Sequence, residues 1–276
     1  MGLLRRAPRS TLDQITAALE QFELPSFPQV AAEALQKLAD PNIAMREIAE
    51  VLERDPGLSV HFLRLANSAT LGLRSTVDSL DRAVAMLGRN QVESILIGRA
   101  VADSLTSRSP VIEAPRFWGT AAMRAVVASQ LALLIDPSHR SEHFTAGLLQ
   151  DMALLVLSEN VDGYCEVLGN WYGGSVVDLC AAEVERFGWD HTAVGAVMCR
   201  KWNFPEKLID AVESHHDHDD PPSPSQLVGD WHETDLERGP ATLEALAADL
   251  QETSGRIEAL LEASAQQAAE LSGVFG

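Results

Sequence analysis

The run Phe144-Thr-Ala-Gly-Leu-Leu-Gln-Asp-Met-Ala-Leu-Leu-Val-Leu157 is apolar at almost every position, with one polar pair, Gln150-Asp151, set into its middle. Apolar residues on every face predict a helix that lies in the core rather than on the surface. A carboxylate in such a place costs on the order of several kcal/mol unless a cation, a metal or hydrogen-bond donors answer it. Asp151 is therefore either a structural buried carboxylate or part of a working site, and its partner decides between the two.

Outward from this run the spacing is helical. Period-2 alternation is rare, whereas i, i+3, i+4 apolar spacing recurs along the chain. Ser10 to Phe22 reads as a first helix, which Leu24-Pro-Ser-Phe-Pro28 must break because prolines do not fit a helix interior. Val30, Ala34 and Leu38 mark a second helix, and Met45, Ile48, Ala49 and Leu52 a third, stopped at Asp55-Pro-Gly57. Further helices follow over Leu58 to Ala66, Ser79 to Leu87, Val92 to Leu105 and Phe117 to Ile135. Beyond the opening run, a short helix marked by Tyr164, Val167 and Leu168 and ended by Gly173-Gly174, then Val176 to Phe187, Thr192 to Trp202 and Pro205 to His215 continue the pattern. From Ala241 on, Leu243, Leu246, Leu250, Ile257, Leu260 and Leu261 form a stripe that needs a groove, supplied by its own domain or by a partner helix or dimer mate. The fold class expected is all-α, a compact bundle of short helices.

Composition narrows the function. The 276 residues, 46% of them hydrophobic, suffice for one large or two modest domains with a real core. Charged or strongly polar residues interrupt every apolar run, so no membrane span is expected. Met1 to Arg9 is basic but has no apolar segment behind it, unlike a secretory signal. Cys165, Cys180 and Cys199 lie far apart with no Cys-x-x-Cys, which predicts reduced thiols in a cytoplasmic protein. The net charge is −19, and residues 205–276 hold 16 acidic against 3 basic side chains. Nucleic-acid binding draws on Lys and Arg to neutralise phosphates, so this balance argues against a direct DNA or RNA partner; solubility accounts for the acidity.

The groups that could gather around Asp151 are His191, the pair His215-His216, and Asp230. Histidines and carboxylates from several helices of one bundle are how all-α proteins build metal sites. Each His taken singly also fits a helix cap, a core position or a solvated loop edge.

Leu24-Pro-Ser-Phe-Pro-Gln-Val30, Asp55-Pro-Gly-Leu58, Leu63-Arg-Leu-Ala-Asn-Ser-Ala69 and Ser79 to Gly88 resemble the opening of an HDOD domain. Ala146-Gly-Leu-Leu-Gln-Asp151, Glu185-Arg-Phe-Gly-Trp-Asp-His191, Val194-Gly195, Trp202-Asn-Phe-Pro205 and His215-His216 continue in the family's order. The resemblance implies residues 1–23 as an N-terminal helix and lead-in, and 24–220 as the HDOD domain. Within the latter it implies a helical subdomain at about 24–108 and an HD-like bundle at about 115–220, leaving 221–276 as an acidic helical extension.

HDOD domains are similar to the HD metal-dependent phosphohydrolases but are generally thought to have lost the catalytic metals. By that resemblance the first HD histidine is replaced by Thr120 or a neighbour, and the namesake His-Asp pair is Gln150-Asp151. His191 and at least one of His215 and His216 match later ligand positions, and Asp230 falls near the last acidic one. A hydrolase that makes hydroxide from bound water needs its full ligand set, and neither Gln nor Thr replaces an imidazole. The resemblance thus implies a bacterial signalling module without enzymatic activity, cofactor or bound metal. Its partner would be a regulatory or signalling protein, with a homodimer through the C-terminal helix left open. The alternative is a residual metal-dependent phosphohydrolase or a pocket that binds a nucleotide without cutting it.

Overall fold

Side-chain caps begin four of the helices among the described residues. Asp55 Oδ1 accepts from the backbone N–H of Gly57 and Leu58 and so starts a helix at Pro56, where a missing N–H costs nothing. Ser79, Asp178 and Asp190 do the same for the helices that follow them. Gly88 and Gly188, at φ 76° and 81°, end helices in the conformation that favours glycine.

The computed structural model describes residues 15–16, 24–68, 76–105, 109–175, 178–217, 222–231 and 254–275. Its α-helices are α1 Gln29–Leu38, α2 Met45–Leu52, α3 Pro56–Ala66, α4 Leu80–Leu87, α5 Arg89–Ser104, α6 Ala114–Ile135 and α7 Arg140–Leu149. They continue with α8 Met152–Asn160, α9 Tyr164–Tyr172, α10 Leu179–Phe187, α11 His191–Lys201, α12 Glu206–Glu213 and α13 Ser254–Phe275. No strand occurs among the described residues, so the expected all-α class holds.

One apolar cluster runs from Ala31, Ile48 and Phe62 through Leu96 and Trp118 to Leu148, Leu154 and Met198. It joins α1–α5 to the central helices as continuous packing. Helix α6 is the spine, packed along α7 and α13. Gly147 allows the close approach of α7, because a Cβ there would stand 3.0 Å from the Arg124 carbonyl oxygen. Two short motifs far apart in sequence meet at the other end: Phe27 packs on Trp202 and Phe204, and Trp202 Nε1 donates to Pro25 O at 3.2 Å. Asn67 bonds the Val77 backbone through both ends of its amide, at 2.7 and 2.8 Å.

Several expectations need correction. The run 144–157 is two helices, not one, and Gln150-Asp151 forms the turn between them, with Asp151 at φ −98° and ψ 9°. Two buried helices meeting at a polar turn show the same unbroken apolarity as one. Helix α3 starts at Pro56 rather than Leu58, since Asp55 caps it. Helix α12 stops at Glu213, so His215 and His216 lie beyond its end. Helix α6 is long and apolar enough to cross a membrane, contrary to expectation, because isolated polar residues do not offset its aliphatic majority; 67% of its most apolar window is buried inside the bundle.

The first helix expected at Ser10 to Phe22 lies outside the described residues apart from Ile15 and Thr16, as does the tail before Ser254. Of the expected C-terminal stripe, only Leu261 has a described side chain, and it packs against the small apolar cluster that includes Val127 and Trp231; further along α13, Ala268 and Leu271 are buried in the main core.

Candidate functional site

The turn between α7 and α8 brings Asp151 under α6, where its Oδ2 accepts from Nη1 of Arg124. Arg124 is 2% exposed, and the same Nη1 donates to the Trp231 carbonyl at 2.9 Å. The carboxylate in the apolar run is thus answered by a guanidinium within the chain. Burial works against charge on Asp151, but Arg124 and then His191 and His215 outweigh it and hold the carboxyl well below its ordinary range.

The other oxygen, Oδ1, faces the histidines. His215 Nε2 lies 3.2 Å away and His191 Nε2 3.5 Å. His191 Nε2 is in turn 3.4 Å from His215 Nε2 and 3.2 Å from His216 Nε2. Two elements supply these rings: His191 opens α11 behind the Asp190 cap, and His215-His216 follows α12. Gly195 brings α11 and α12 together, since a Cβ there would stand 2.9 Å from Val212 Cγ1.

Each imidazole is also held from behind. His191 Nδ1 is 2.8 Å from Glu183 Oε2, which also accepts the His191 backbone N–H at 2.9 Å. The fully buried Glu183 takes a further bond from the Tyr164 hydroxyl, which burial and then Glu183 itself keep protonated. His215 Nδ1 donates to Val212 O at 2.7 Å, and His216 Nδ1 pairs with Asp230 Oδ1 at 2.8 Å. Asp230 reaches His216 because Gly229 lies flat on the His215 backbone; a Cβ there would stand 2.2 Å from the His215 carbonyl oxygen.

A carbonyl or carboxylate partner assigns the proton to Nδ1 in each ring, which leaves the three Nε2 atoms facing one another. Burial holds His215 down to about 4, so its Nε2 is a lone pair at neutral pH. Burial also opposes charge on His191, but Glu183 and Asp151 outweigh it and hold that ring well above its ordinary value. In the metal-free protein a proton on His191 Nε2 therefore faces His215 Nε2, His216 Nε2 and Asp151 Oδ1, more acceptors than one N–H satisfies.

The ligand atoms of Asp151, His191, His215 and His216 all lie within 4.8 Å of one another. Imidazole nitrogens oriented from behind, with a carboxylate, are the donor set of a transition-metal ion, so these residues fit one ion. They do not fit two on one carboxylate, because Arg124 already holds its other oxygen.

Of the residues singled out from the sequence, Asp151, His191, His215 and His216 converge and Asp230 supports His216. Thr120 and Gln150 lie nearby but bond elsewhere. Thr120 Oγ1 donates to Arg116 O at 3.2 Å, and Gln150 Nε2 donates to Gly229 O at 3.2 Å. Sequence reasoning missed Arg124, Glu183 and Tyr164. Arg124 had a signal, since it is the sole charge between Phe117 and Ile135. Glu183 had none, because nothing sets it apart from its neighbours on an amphipathic helix.

The HDOD domain family matches residues 24–218. The chain belongs to the HDOD family. An uncharacterized protein of Treponema pallidum (strain Nichols) is 23% identical to this HDOD chain over 203 residues, covering 70% of the chain but only 38% of that protein. In structure it is similar to a presumed phosphohydrolase from Shewanella amazonensis SB2B, at TM-score 0.77 and 24% identity, covering 94% of this chain and 98% of that one. It is also similar to a presumed signal transduction protein from Marinobacter aquaeolei VT8, at TM-score 0.73 and 20% identity, covering 99% and 67%. At these identities the likeness establishes the HDOD fold.

Proposed function

We propose that this HDOD chain is a signal-transduction module that acts by contact with a regulatory protein and hydrolyses no phosphoester. The observation that carries this reading is the Arg124–Asp151 pair. Phosphoester hydrolysis of the HD kind needs two cations to generate hydroxide and steady the leaving oxygen. Here a fixed guanidinium, which can neither bind water as a Lewis acid nor release a proton, occupies the carboxylate. The space beside it, lined by Phe117, Thr120, Arg124, Asp151, Leu154, Trp171 and Tyr172, amounts to about 10 Å³, room for one water and not for a phosphodiester. Family membership and the Marinobacter protein's description support the signalling role.

A second reading, a metal-dependent phosphohydrolase, draws on the convergence of Asp151 with three histidines and on the Shewanella protein's description. The protein loaded in turn with iron, manganese and zinc, and assayed on bis(p-nitrophenyl) phosphate and a cyclic dinucleotide, separates the two. The expected result is no turnover above that of an Asp151→Ala variant. Ion-dependent turnover that the variant loses would overturn the proposal. Affinity capture with the whole chain as bait should in addition recover one regulatory protein reproducibly; repeated failure to recover any would count against the signalling role.

A further inference from the structure

The donors left facing one another at the meeting of α11, α12 and the α7–α8 turn have a chemistry that hydrogen bonding does not complete. Four potential ligand atoms converge there: Asp151 Oδ1 and Nε2 of His191, His215 and His216. Each ring's other nitrogen is committed to Glu183, to Val212 O or to Asp230. One shared proton relieves two of these atoms at a time. We propose that the four hold a single zinc ion, closed by protein ligands, as a structural centre with no position left for water or substrate.

The distances support this. Zinc bonds its nitrogen and oxygen ligands at about 2.0–2.2 Å, and the edges of a tetrahedron of that size are about 3.3–3.6 Å long. Four of its edges are present. His191–His215 measures 3.4 Å and His191–His216 3.2 Å. His191–Asp151 measures 3.5 Å and His215–Asp151 3.2 Å. The rings are already aimed, since each Nδ1 is held by an acceptor that sets both its tautomer and its orientation, the arrangement found behind metal-ligating histidines.

Charge fixes the number of ions. Asp151, Glu183 and Asp230 oppose the one guanidinium of Arg124, so among these groups one dication brings neutrality and a second overshoots it. A four-ligand site without an open position is the structural type, whereas catalytic zinc keeps one ligand exchangeable. The centre departs from the expectation of no bound metal, which rested on the imidazoles missing at Thr120 and Gln150. It uses neither residue.

A second donor group, Cys180, Glu183 and His191, shares one histidine but offers three ligands and needs the His191 Nδ1 that Glu183 already holds. Burial also pushes the Cys180 thiol up, away from the thiolate that a metal requires. It competes poorly with the aspartate–histidine set.

The test uses the full chain, stripped with a chelator and titrated with Zn(II) or Co(II). The expected result is one equivalent bound per chain, a higher unfolding temperature, and for Co(II) the intense visible absorption of a tetrahedral complex. His216→Ala, at a partly exposed ring, should fold and lose at least tenfold in affinity, while Cys180→Ser and His139→Ala should bind as the parent does. No binding by the parent, two equivalents, a weak octahedral Co(II) spectrum, or full affinity in His216→Ala would each overturn the centre. Its failure is distinct from failure of the signalling role. A chain that binds no ion yet captures its regulatory partner refutes the zinc alone, and ion-dependent hydrolysis refutes the signalling role and the closed coordination together.

Discussion

Arg124→Met tests whether an internal cation, and not the histidines alone, answers Asp151. Methionine keeps most of the aliphatic volume, so the change removes charge and donors more than packing. Arg124 is 2% exposed, its Asp151 partner is buried, and its Nη1 also bonds Trp231 O. A contact pair at an effective dielectric constant of about 20 is worth about 4 kcal/mol at 4 Å separation. Removing one partner of a buried pair costs about 3–5 kcal/mol, because the other charge stays desolvated and unpaired. Against a total stability of about 5–15 kcal/mol, that is a large share. Urea unfolding followed by circular dichroism, with chelator present throughout, should show a midpoint lower by about 1–2 M for an m-value of about 3 kcal/mol/M. Arg124→Met/Asp151→Asn should recover about 1 kcal/mol or more relative to the sum of the single changes. A single variant within about 1 kcal/mol of the parent, or strictly additive effects, would refute the assignment of Arg124 as the answering charge.

Two further perturbations probe the surroundings. Gly229→Ala places a Cβ at 2.2 Å from the His215 carbonyl oxygen. It should cost about 1–3 kcal/mol in thermal unfolding and shift the His216 Nδ1 resonance as Asp230 moves away, and an unchanged resonance would refute the packing. Glu93, on α5, is held above its ordinary value by burial, which Arg89 opposes and Glu142 reinforces. A carboxyl whose folded pKa is raised binds its proton more tightly when folded, so its contribution to stability falls as pH rises from the ordinary glutamate range through the folded pKa. Glu93→Gln should therefore raise the urea midpoint at pH 7 by less than about 1 kcal/mol's worth and lose that advantage near pH 4. A gain that persists equally at both pH values would contradict it.

The helical class and most of the helix positions are legible in the chain alone. The 3.6-residue spacing and the capping residues Asp55, Ser79 and Asp190 act within one or two turns, and information of that range is written directly in the chain. Ordered short motifs also pointed to the family, and to Asp151, His191, His215, His216 and Asp230 as residues of interest. The break at Gln150-Asp151 was not legible, because a buried turn between two buried helices leaves the apolar pattern intact.

The role of Asp151 emerges only when the helices pack. Arg124 lies 27 positions away on a different helix, and it reaches the carboxylate only because Gly147 lets α7 approach α6 closely. Glu183 behind His191, and the loop that Gly229 lays against His215, are likewise products of packing between elements. A sequence shows which residues can ionise or ligate. The distances and burial that fix their charge, their tautomer and their partner arise when the helices pack, and those quantities turned a buried aspartate into an ion pair on one side and a four-donor cluster on the other.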